Sequence, residues 1–105
     1  MTNRIPQLEQ MLAQSPKDCF LLHALALEHI KINEIEKGIS LFKKGIDINE
    51  NYIGSYYHLA KSFEKIGDEQ NAIFYYKKGI QIAMILKDNH AKNELQMALD
   101  EIEDL

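Results

Sequence analysis

Two stretches of the chain share one pattern, LFKKGIDI at residues 41–48 and YYKKGIQI at residues 75–82. Five of the eight positions are identical, and the offset between the stretches is 34 residues. The same offset relates Leu25 to Leu59 and Ala26 to Ala60, upstream of both stretches. A single register held over so many positions indicates an internal duplication.

Each duplicated unit is predicted to form two helices, a front helix followed by a back helix. The front helices carry core-facing stripes at Leu22, Leu25, Ala26 and His29 and at Tyr56, Leu59, Ala60 and Phe63. Their spacing of i, i+3, i+4 and i+7 is one face of an α-helix. Between front and back helices, Asn33 and Gly67 are expected in the left-handed conformation that closes a helix. Asp68 is then expected to cap the following helix.

Two further helices are predicted outside the duplicated units. An apolar stripe at Ile5, Leu8, Met11 and Leu12 predicts the first, and Ser15 and Pro16 are expected to cap and begin the helix after it. Asp88 opens the last helix, after a back helix that is expected to continue through Leu86. The chain is therefore divided into a first helix at 1–17, units at 19–52 and 53–86, and a last helix at 88–105.

The small and aromatic residues within this pattern resemble a tetratricopeptide repeat. Ala26 and Gly38 would lie where paired helices approach, with Phe42 beside them, and Ala60, Ala72 and Tyr76 repeat the arrangement. The resemblance implies one all-α domain, an antiparallel helix-pair solenoid of about six helices with right-handed superhelical stacking. It also implies that residues 1–17 are a half-repeat and that the last helix is a terminal cap.

Three glycines lie inside predicted helices, at Gly38, Gly45 and Gly79. Glycine in a helix interior costs roughly 1 kcal/mol relative to alanine. All three are therefore predicted to be positions where another helix comes close.

Composition and charge exclude several classes of protein. Hydrophobic residues make up 46% and charged residues 27%, as expected of a folded domain. A net charge of −4 argues against nucleic-acid binding, which needs a basic face. The apolar runs are too short to span a membrane, and the start of the chain lacks the apolar core of a signal peptide. A single cysteine, Cys19, favours a reducing cytoplasm.

The titratable residues do not form a recognisable catalytic or metal-binding motif. His23, His29, His58 and His90 are scattered, without a histidine–glutamate zinc motif or a cysteine pair. His29 is interpreted as a buried core residue, and His23 and His58 as residues that come close together on neighbouring front helices. The acids of the last helix, Asp104 among them, are interpreted as a solvated face. We expect no catalytic residues, no metal and no cofactor, and hence no enzyme.

In tetratricopeptide repeat proteins the front helices line a concave face that receives a peptide or a partner helix. The resemblance assigns that role here to exposed front-helix positions, Phe20, His23, Leu27, Lys31, Tyr57, Lys61 and Lys65. The positions of the family's chaperone-tail clamp hold His23, Leu27, His58, Asp88 and Lys92, which do not match it.

Two questions about this concave face stay open on the sequence. The last helix is either a cover for Phe20, Leu27 and Tyr57 or leaves them exposed. The function implied is an adapter for a protein or peptide partner. The alternative is a self-associating protein, a homodimer through the last helix or the groove, because that helix is apolar on one face and acidic at its end.

Overall fold

The computed structural model describes residues 4–103, and within them the chain forms six α-helices and no strand. The helices are α1 Ile5–Gln14, α2 Cys19–Lys31, α3 Ile35–Ile48, α4 Gly54–Lys65, α5 Glu69–Leu86 and α6 Asn89–Glu103. Each packs against the next, and the front helices α2, α4 and α6 also contact one another in series. The predicted all-α fold of helix pairs is confirmed. The division at residues 17, 52 and 86 stays a prediction, and Met1 and Asp104 lie outside the described residues.

The turns between front and back helices form as expected. Asn33 and Gly67 have φ values of 65° and 79°, in the left-handed region. Asp68 accepts a hydrogen bond from the backbone N–H of Asn71 at 3.1 Å. Helix α5 continues through Leu86, as predicted. Asp88 caps α6 by accepting from the N–H of Ala91 at 3.0 Å.

The predicted start of α2 is wrong. Ser15 ends α1 instead of capping α2, because its N–H donates to carbonyl groups in the last turn of α1, at 3.0 and 3.1 Å. Pro16 lies in the turn that follows. The N-cap of α2 is Asp18, whose carboxylate accepts from the N–H of Leu21 at 3.1 Å. Aspartate is as good an N-cap residue as serine, and Asp18 is the residue close enough to the N–H of Leu21 to accept its hydrogen bond.

Within residues 4–103, the buried side chains of the core form two clusters. The larger one runs from α2 to α6, and its largest members are Phe42, Tyr56 and Tyr76. Both tyrosine hydroxyls are satisfied, since Tyr56 donates to the carbonyl of Glu50 at 2.7 Å and Tyr76 to the carboxylate of Glu64. The smaller cluster joins α1 to α2 through Leu8, Leu21, Ala24 and Leu25.

His29 is a buried core residue, as interpreted from the sequence. It is 4% exposed, and its Nδ1 lies 2.7 Å from a carboxylate oxygen of Glu34. The hydrogen bond satisfies a polar ring that burial would otherwise penalise.

The helical glycines differ in how closely another helix approaches. A Cβ on Gly79 would lie 2.8 Å from the Cβ of Tyr56, and one on Gly38 would lie 3.2 Å from the carbonyl oxygen of Ala26. A Cβ on Gly45 would meet Leu22 at an ordinary 3.9 Å. The prediction of close approach is confirmed for Gly38 and Gly79 and wrong for Gly45.

Candidate partner-binding groove

The seven predicted groove residues lie on α2 and α4, but they do not line one continuous groove. A cavity of about 500 Å³ between the first two front helices, the N-terminal groove, is lined by Arg4, Phe20, His23, Ala24, Leu27, Glu28, Ile30, Lys31 and Lys65. A second cavity of about 400 Å³ between α4 and α6, the C-terminal groove, is lined by Tyr57, Lys61, His90, Asn93, Glu94, Met97, Ala98 and Glu101. The predicted set is thus divided five to two between neighbouring grooves.

The N-terminal groove combines an exposed aromatic residue with basic charge. Phe20 is 62% exposed, and Leu27, seven residues further along α2, is half-buried. The carboxylate of Glu28 lies 3.8 Å from the guanidinium of Arg4 and 3.1 Å from the ammonium of Lys31. Lys65 has no acidic partner within 4 Å in the part of the chain that the structure describes. The basic residues therefore outnumber the single acid.

The C-terminal groove is acidic. Glu94 and Glu101 face it from α6, and Met97 between them is 66% exposed. Across the groove, the ammonium of Lys61 lies 5.7 Å from the centre of the Tyr57 ring, within reach of a cation–π interaction. It also lies 3.7 Å from the carboxylate of Glu64.

The last helix does not cover Phe20. The apolar face of α6 is buried through Leu95, Ala98 and Leu99, in the core that it shares with α4 and α5. An adjoining face of the helix, which carries Glu94, Met97 and Glu101, borders the C-terminal groove beside the half-buried Tyr57. The first of the two alternatives, a cover over the apolar residues of α2, is therefore wrong for Phe20.

His23 has a structural role in the wall of the N-terminal groove. Its ring centre lies 5.5 Å from that of Phe42, 5.7 Å from that of Tyr52 and 5.4 Å from that of His58. Its Nδ1 is 2.9 Å from the hydroxyl oxygen of Ser55, which is buried. The expected proximity of His23 and His58 is confirmed. Within residues 4–103, no three histidine, cysteine, aspartate or glutamate side chains are placed to hold a metal ion.

His23 and His58 both favour the neutral form of the imidazole ring. Burial, with a smaller effect of the neighbouring His58, lowers the pKa of His23 to about 4. Burial likewise lowers the pKa of His58, although Glu94 opposes the change.

We expect His23 and His58 to make the free energy of unfolding depend on pH below neutrality. Between about pH 6.5 and pH 4, His23 is protonated in the unfolded chain but not in the folded chain. Protonation therefore favours the unfolded chain, and the free energy of unfolding decreases as the pH falls. Solvent reaches part of the ring, so we expect about 1–2 kcal/mol. Urea unfolding of His23→Gln across this range should show a shallower decline than the wild type. His90→Gln, at an exposed position on α6, is the control, and a slope equal to that of His23→Gln would contradict the assignment.

Sequence reasoning missed several residues that line the grooves. Arg4 precedes α1 and reaches the N-terminal groove only because α1 packs against α2. Glu94, Met97 and Glu101 were detectable, because their spacing of i, i+3 and i+7 defines one helix face that adjoins the buried one.

The structure is similar to solved helical repeat structures. A tetratricopeptide repeat domain protein from Salinibacter ruber is 34% identical, with a TM-score of 0.81 over 86% of this chain and 91% of that one. MamA from Desulfovibrio magneticus is 25% identical, with a TM-score of 0.74 over 76% of this chain and 45% of that one. A protein from Bordetella parapertussis shares the fold at 22% identity, with a TM-score of 0.86 over 99% of this chain and 90% of that one. No curated protein is detectably similar in sequence.

The sequence comparison with family models agrees with the structural similarity. The family model described as Tetratricopeptide repeat matches residues 21–52 and residues 53–83, which together are more than half of the chain. The two matches follow each other directly and cover the four helices from α2 to most of α5. This chain belongs to the tetratricopeptide repeat family.

Proposed function

We propose that this chain is a non-catalytic adapter that binds a peptide or helix of another protein on the concave face formed by α2, α4 and α6. The observation that carries the proposal is the exposure of Phe20, at 62%, in a groove of about 500 Å³ that Leu27 also lines. Exposed aromatic residues in a groove with a polar rim are typical anchors for a partner. Tetratricopeptide repeat proteins in general mediate interactions between proteins.

The arrangement of the titratable groups supports a binding role over a catalytic one. His23 packs in an aromatic cluster and is bonded to Ser55, and the carboxylate of Glu28 lies near two basic side chains. These contacts give the groove shape and charge without presenting an activated nucleophile or base. None of the described helices is both long and apolar enough to cross a membrane. A single cysteine fits a reducing compartment, and we place the adapter in the cytoplasm.

Peptide display tests the proposal directly. A library of random peptides panned against the protein should yield binders whose affinity falls by about thirtyfold in Phe20→Ala, since truncating an anchor costs about 2 kcal/mol. The matched control is Phe74→Ala, because Phe74 is 55% exposed on α5 and lines neither groove. Affinities measured by fluorescence anisotropy should be unchanged in the control. Binders that tolerate Phe20→Ala, or a library that yields none, would count against the adapter.

Self-association is the second candidate, and it has one specific observation in its favour. Met97 is 66% exposed between the acids of α6, a surface complementary in charge to the N-terminal groove. The buried face of α6 already packs within its own chain, so a dimer through this helix would use its outer face. The solution mass by light scattering separates the two candidates. A dimer that dissociates in both Met97→Glu and Phe20→Ala would replace the adapter, and a monomer would exclude the dimer.

A further inference from the structure

We propose that the partner segment is itself divided in charge, acidic where it crosses α2 and α4 and basic where it reaches α6. The inference rests on the proposed adapter function and specifies the chemistry of its partner. It depends on the opposite charge of the two grooves, which lie on the successive front helices α2, α4 and α6.

The basic half is built by the repeat itself. Lys31 and Lys65 are related by the 34-residue offset, so they occupy equivalent positions near the ends of neighbouring front helices. Both line the N-terminal groove, together with Arg4. Among the described residues, the only acid lining that groove is Glu28, and two of the three bases already lie within 4 Å of it. Lys65 is left for an acid on the partner.

The acidic half comes from α6. Glu94 and Glu101 are both exposed and lie two turns apart on its outer face. Neither has a basic partner within 4 Å among residues 4–103. Lys61, the lysine that borders the same groove, lies closest to Glu64 and to the ring of Tyr57. A lysine or arginine on the partner would therefore find unpaired carboxylates here.

The apolar residues connect the two halves. Phe20 and Leu27 lie in the basic groove, and Tyr57 and Met97 in the acidic one. Neighbouring packed helices are about 8–10 Å apart, so three front helices span about 20 Å, which about six residues of extended chain cover. A short segment can thus place an acidic residue, an apolar anchor and a basic residue on matching surfaces at once.

Electrostatic complementarity of this kind selects partners more than it adds affinity. A like charge placed against either half is penalised, so uniformly acidic or uniformly basic segments are disfavoured at one end. The division of charge therefore sets both the sequence of the partner and its orientation across the groove.

Three labelled synthetic peptides test the inference by fluorescence anisotropy at low salt. Each is about eight residues long with the same central leucine and phenylalanine, enough to span the face. One carries glutamates on one side and lysines on the other, one carries glutamates on both sides, and one carries lysines on both. We expect the divided peptide to bind tightest.

Charge-reversed variants assign each half of the effect. We expect Lys65→Glu and Glu101→Lys each to weaken the divided peptide by about tenfold. Lys43→Glu, on α3 and outside both grooves, is the matched control and should change affinity by less than about twofold. All three positions are exposed, so thermal unfolding should confirm that the variants are folded.

Equal affinity for the three peptides, or an equal loss in Lys43→Glu and Lys65→Glu, would overturn the inference. A uniformly acidic peptide that binds as tightly as the divided one would overturn the role of α6. The adapter function would survive these results if display peptides still depend on Phe20. It would fail with the inference if no peptide binding depends on that residue.

Discussion

Replacing Phe42 by alanine is expected to lower the free energy of unfolding by about 3–5 kcal/mol. The side chain is 0% exposed and lies on α3, in the core between the two repeats. Its ring stacks on that of His58 at 6.1 Å and meets the edge of His23 at 5.5 Å. Its removal leaves a cavity that α2, α3 and α4 share, and the helices cannot close it without losing their register.

The control for this variant is another phenylalanine. Phe74→Ala removes the same ring from a position that is 55% exposed, and we expect a change within about 0.5 kcal/mol. A domain of this size has a stability of about 5–15 kcal/mol, so Phe42→Ala should be marginally folded in water. Urea unfolding followed by circular dichroism measures both. Similar losses for the two variants would mean that the repeats are not joined through Phe42.

Alanine at two equivalent glycines is expected to have opposite effects. Gly45 and Gly79 lie in the same Lys-Lys-Gly-Ile sequence, 34 residues apart. At Gly79 a Cβ would lie 2.8 Å from the Cβ of Tyr56 and 3.0 Å from the Cδ1 of Leu95, so α4 and α5 must separate. We expect Gly79→Ala to destabilise the fold by about 1–3 kcal/mol, because the Cβ of Tyr56 is fixed to the backbone of its helix.

At Gly45 a new Cβ would make only an ordinary contact with Leu22, at 3.9 Å. Gly45→Ala should therefore stabilise the fold by about 0.5–1 kcal/mol through helix propensity alone. Thermal unfolding of the two variants gives the sign directly. A loss of stability in Gly45→Ala, or none in Gly79→Ala, would contradict the packing of these two glycines against Leu22 and Tyr56.

The parts of the fold that could be predicted from the sequence depend on local patterns. The stripe of Leu59 and Ala60 follows from helical periodicity, and the turns follow from Asn33 and Gly67, which adopt positive φ. The duplication then predicted which helices pack together, because each unit has to pack against its own copy.

The parts that could not be predicted depend on neighbours that are distant in sequence. Gly45 and Gly79 share their local sequence, and only the presence of Tyr56 and Leu95 beside one of them separates their roles. The groove residues were predicted on the correct helices. However, α6 packs beside α4 as a third front helix, so Tyr57 and Lys61 line the separate C-terminal groove. Ser15 was misassigned because it lies in the short connection between α1 and α2 and could either end the first helix or cap the second. Which of the two it does depends on which backbone amides remain unpaired.

The separate small cluster between α1 and α2 has a consequence for motion. Helix α1 has one fully buried residue, Leu8, so few contacts oppose its detachment while the larger core stays folded. Its amides should exchange with solvent through local opening, at a lower free energy than global unfolding. Arg4 leaves the groove whenever α1 detaches. A partner that binds Arg4 would hold the first helix in place, and binding and the ordering of this helix would then be thermodynamically linked.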